Sequence, residues 1–80
     1  MPIDRAILEE HLTMAERHVA QGERQVARQR ELVAKLERHG HDTRSAKELL
    51  VQFQELQALH IAGRDRLRHE LGLDAAGVAR

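Results

Sequence analysis

His39-Gly40-His41-Asp42-Thr43 is the one convincing interruption in a chain of 80 residues otherwise dominated by Glu, Arg, Gln, Leu and Ala. A glycine there can take the left-handed conformation that ends a helix, and Asp42 or Thr43 can accept from the first free amides of the next one. Ser45 with Glu48 offers a competing start a few residues later. The flanking residues lose little on entering a helix. The reading is a helix over 4–38, a turn at 39–42 and a helix over 43–71, so that 1–72 forms one helical hairpin. Leu71-Gly72-Leu73 reads as a second helix stop, and 73–80 as a flexible C-terminal tail.

Periodicity sharpens this. Leu8, Leu12, Ala15, Val19, Gly22, Val26, Gln29, Val33 and Leu36 are spaced alternately four and three apart, which is the heptad seam of a coiled coil. Ala46, Leu49, Phe53, Leu56, His60, Gly63, Leu67 and Glu70 continue the alternation in the second segment. In an antiparallel hairpin, facing residue numbers add to a constant. Leu36 with Ala46, Val33 with Leu49, Gln29 with Phe53, Val26 with Leu56, Gly22 with His60, Val19 with Gly63 and Ala15 with Leu67 all meet that condition. Gly22 and Gly63 are thereby expected to be notches that accept a bulky residue opposite. Gln29 is the odd member of the seam. Either it specifies register or oligomer state, or its amide reaches out of the bundle.

Leucines are left over. Leu32 and Leu59 fall along one edge of the expected hairpin and Leu50 and Leu71 along the other. Ala6, Thr13, Ala20, Ala27 and Ala34 recur every seven residues beside the seam, and Val51, Ala58, Ile61 and Ala62 form a second patch. A chain this short rarely draws more than about 3–5 kcal/mol from one core. The expected fold is therefore all-α, an antiparallel two-helix hairpin resembling a coiled coil that dimerises into a four-helix bundle. Leu32, Leu50, Leu59, Leu71, Ala20 and Ala27 are its expected interface.

Composition closes several functional classes. Thirteen basic residues balance thirteen acidic ones, no cysteine is present, and Phe53 is the only aromatic residue. Disulfide frameworks, thiol nucleophiles and base-stacking platforms are excluded. No apolar run approaches the roughly 20 residues that a membrane helix requires, so a cytoplasmic protein without a membrane partner is expected.

Six histidines raise the question of a metal. His11, His18 and His39 share one helical line, and His60 should lie about one turn from His18 across the hairpin. His39 and His41 flank the glycine of the turn. Compact helical sites use ligands three or four apart, a spacing that these histidines lack, so no metal site and no cofactor is expected. His18, His60, His39 and His41 come nearest to one. The bland reading makes His60 a structural residue at the edge of the core and Asp42 a cap.

Arginine outnumbers lysine 11 to 2. Arg24, Arg28, Arg30, Arg64 and Arg68 are the residues a nucleic-acid accessory protein would use, but glutamates are interleaved and no stacking residues accompany them. A solvated, salt-bridged face is the preferred account, with Glu16 expected to pair with Arg64. Hydroxyls are limited to Thr13, Thr43 and Ser45, each explained by a turn, cap or surface position. No catalytic residue is expected.

The segments His11-Leu12, Ala15-Glu16-Arg17-His18-Val19, Arg28-Gln29-Arg30, Gly40-His41-Asp42-Thr43, Leu49-Leu50 with Phe53, and Arg64-Asp65-Arg66-Leu67 resemble a group of small uncharacterised helical proteins of alphaproteobacteria. The likeness spans about residues 11–67. It implies a bacterial, cytoplasmic helical protein and carries no activity with it; His39 stands where the group would have an acidic residue. The functional expectation is a non-enzymatic homo-oligomeric interaction module, an adaptor or regulator of an unidentified protein partner. A nucleic-acid accessory role and histidine-based metal binding are the alternatives.

Overall fold

The computed structural model describes residues 4–79; residues 1–3 of the expected hairpin unit and residue 80 of the expected tail lie outside the described residues. Two helices, α1 (Arg5–Arg38) and α2 (Arg44–Glu70), pack against each other as a hairpin. At about 1.5 Å per residue, the 34 residues of α1 reach about 50 Å. The molecule measures 56 × 23 × 14 Å, a slab one helix thick. Its radius of gyration of 16.8 Å exceeds the roughly 12 Å of a compact domain of this length.

Local chemistry sets the helix ends. The Asp4 carboxylate accepts from the Ala6 amide at 3.1 Å and starts α1. At its end, Gly40 adopts φ 69°, which lets the His41 amide donate to Leu36 at 2.9 Å and the Gly40 amide to Glu37 at 3.2 Å. Gly72 repeats this device at the end of α2, with the Leu73 amide donating to Arg68 at 2.8 Å. Asp42 and not Thr43 supplies the side-chain cap of α2, accepting from the Arg44 amide at 2.9 Å.

The seam of α1 is the one its periodicity predicts: Leu12, Val19, Gly22, Gln29 and Val33 are buried. The seam of α2 is not. Ala46, Phe53, His60 and Leu67 face inward as expected, but Leu50, Gln57, Arg64 and Leu71 fill the alternate positions, and Leu49 and Leu56 are exposed. α2 is thus turned by about half a residue step, roughly 50°, from the expected phase. The cause lies at Gly22. The Gln57 side chain occupies the space beside it, and its Nε2 donates to the Val19 carbonyl at 2.9 Å. The notch at Gly22 accepts the end of the Gln57 side chain, whose Oε1 is buried there without a hydrogen-bond partner.

Several expected relationships change with the phase. Gly22 faces Gln57 rather than His60, and Gly63, expected as a notch for Val19, has open space where a side chain would be. Leu50 and Leu71, expected at the oligomer interface, are drawn into the intramolecular seam, with Leu71 only 5% exposed. Gln29 does not reach outward from the hairpin. Its Nε2 donates to the Ala46 carbonyl at 2.9 Å, so each helix lends one glutamine to the backbone of the other. Glu16 pairs with Arg68 at 3.5 Å instead of with Arg64, which turns to Asp65 at 3.0 Å.

Residues 73–79, expected to trail as a flexible tail, form a hydrogen-bonded turn. Leu73 and Ala79 make an antiparallel bridge, and the Asp74 carboxylate accepts from the amides of Ala76 and Val78, both at 2.9 Å. Arg68 holds the turn to α2 by donating from Nη1 to the Ala75 carbonyl at 2.6 Å. Two carboxylate-accepted amides and one guanidinium hold this short segment in place.

Candidate functional site

The phase of α2 leaves a groove of about 450 Å³ along one broad face of the slab. α1 contributes Glu23, Val26, Ala27 and Arg30, and α2 contributes Gln54, Gln57, Ala58 and Ile61. The local reason is volume. Gln57 is pulled into the seam by Gly22 and is 8% exposed, so it floors the groove, while the short side chains of Ala27 and Ala58 leave its shoulders low. Glu23 and Arg30 stand at its two ends on one line of α1, two turns or about 10 Å apart. Neither is in an ion pair among the described residues. Such a surface can receive an apolar helix face bordered by opposite charge; it holds no arrangement of nucleophile and base.

Of the expected interface residues, Ala27 is exposed in this groove and Ala20 is half-buried on the same line of α1. Leu32 and Leu59 remain exposed, Leu59 at 71%. Helical phase puts Leu32, Leu49 and Leu56 on the side of the seam away from the groove. Gln57 and Gln54 escaped the sequence reading because an amide scores as polar. The available signal was that Leu50, Gln57, Arg64 and Leu71 satisfy the same spacing as Leu49, Leu56, Gly63 and Glu70.

His18 and His60 are brought together across the hairpin, with ring centroids 5.4 Å apart and planes tilted by 42°. His39 and His41 are 6.3 Å apart in the turn. Two imidazoles form an incomplete ligand set, and no group of three or more metal-ligating side chains occurs among the described residues.

The five arginines of the nucleic-acid reading do not converge. Arg24 and Arg28 lie beside Gln21 and Gln25 on a polar stretch of α1, while Arg30 belongs to the groove. Arg64 is paired with Asp65, and Arg68 is held between Glu16 and Ala75. The Thr13 hydroxyl is turned to its own helix, donating to the Glu9 carbonyl at 3.1 Å. Among the described residues no helix is long and apolar enough to cross a membrane. Compared with protein-family models, with curated proteins and with solved structures, the chain matches none of them.

Proposed function

We propose that this chain is a non-enzymatic helical interaction module whose hairpin pairs with a second copy to form a four-helix bundle, and which serves as an adaptor or regulator of another protein. One observation carries the reading. The hairpin is a single layer in which no side chain among the described residues is fully buried, while Ile7, Met14, Leu32, Leu49, Val51, Leu56, Leu59 and Ile61 are exposed. Stable domains bury their apolar stripes between at least two packed layers, and a second hairpin supplies the missing one. A face of 56 by 23 Å exceeds the roughly 800 Å² per partner that a standard interface buries.

The bundle leaves the outward Arg and Glu side chains for a further protein partner, for which planar guanidinium groups suit carboxylate recognition. A bacterial cytoplasmic setting belongs to this reading. Sedimentation of the full chain at micromolar concentration tests the pairing: a dimer is expected, and monomer alone overturns it.

A further inference from the structure

We propose that the second copy docks on the groove face, related by a two-fold axis that crosses the helices at right angles between Val26 and Ala27, so that Glu23 of each protomer meets the partner's Arg30. This rests on the pairing reading above and specifies its geometry.

The charge pattern selects the axis. Glu23 and Arg30 stand at opposite ends of the groove, and the point midway between them along α1 falls between Val26 and Ala27, on its apolar lining. A two-fold axis across the helices lays α1 antiparallel on the partner's α1 and exchanges the ends of the groove. The Glu23 carboxylate then faces the Arg30 guanidinium, twice per dimer, and an isologous interface repeats each contact in this way. An axis parallel to the helices instead lays α1 on the partner's α2, where the carboxylate of Glu23 meets the end of the groove that carries Ile61, and the two charges stay unpaired. Ala27, beside the axis, leaves room for the two layers to approach closely. The opposite face offers the exposed Leu32, Leu49 and Leu56.

The chain has no cysteine, so one introduced thiol reports contact without background. Ala27→Cys and Leu56→Cys are compared on non-reducing gels after mild oxidation of full-length protein, with circular dichroism confirming that each variant is folded. Ala27→Cys is expected to form a covalent dimer and Leu56→Cys to remain uncoupled. In parallel, Glu23→Arg and Arg30→Glu are each expected to weaken the dimer by about tenfold or more in Kd, and the double exchange to restore it. A dimer linked through Leu56→Cys and not Ala27→Cys overturns the groove geometry and leaves the pairing intact. Failure of the double exchange to restore affinity overturns the axis even if Ala27→Cys couples. A chain that sediments only as monomer removes the pairing itself, and this geometry with it.

Discussion

The amide of Gln57 fills the space that a side chain on Gly22 would need, and from there it donates to the Val19 carbonyl at 2.9 Å. Glycine and glutamine thus act as lock and key between the helices, and they set both the rotation of α2 and the depth of the groove beside it.

Glycine to alanine in a helix ordinarily stabilises by up to about 1 kcal/mol. At Gly22 that gain is offset, because the added methyl would displace the amide at the end of the Gln57 side chain and with it the bond to the Val19 carbonyl. Gly22→Ala is expected to leave stability in urea unfolding nearly unchanged, about 1 kcal/mol of helix propensity being offset by about 1 kcal/mol of lost hydrogen bond. Gly63→Ala, where the structure leaves open space, is expected to raise stability by about 0.5–1 kcal/mol. Equal effects at the two glycines would contradict the packing described.

The rotation of α2 distinguishes adjacent leucines. Leu50→Ala is expected to destabilise by about 2 kcal/mol or more, and Leu49→Ala by less than about 1 kcal/mol. A larger loss at Leu49 in the same unfolding experiment would restore the phase that periodicity alone suggests.

Gln29 is expected to confer specificity more than stability. The Ala46 carbonyl it binds lies inside α2 and keeps its helical donor when the amide is removed. Gln29→Leu is expected to raise Tm by a few degrees, since a seam position becomes apolar. A large fall in Tm would show the amide to be a stabilising contact instead.

Arg68 holds the C-terminal turn through the Ala75 carbonyl and reaches Glu16 of α1. Arg68→Ala is expected to speed amide hydrogen exchange across residues 73–79 while lowering global stability by no more than about 1 kcal/mol. Unchanged exchange in this segment would mean that Asp74 and its two accepted amides hold the turn unaided.

Two helices folded back at Gly40 are legible from the residues alone, because helix-forming composition, a left-handed glycine and a capping carboxylate are local properties. The α1 seam is legible too, since Leu12, Val19 and Val33 alternate without a rival pattern, but the stripe of α2 that faces inward is not. Two stripes share Ala46, Phe53, His60 and Leu67, and hydrophobicity favours the one containing Leu49 and Leu56. The choice of Leu50, Gln57 and Leu71 emerges when the two helices pack. The deciding interaction joins an amide to a backbone carbonyl across the hairpin, beside a glycine 35 residues away in the chain, and no pattern within α2 encodes it. The groove follows from that choice, as do the exposed Leu49 and Leu56.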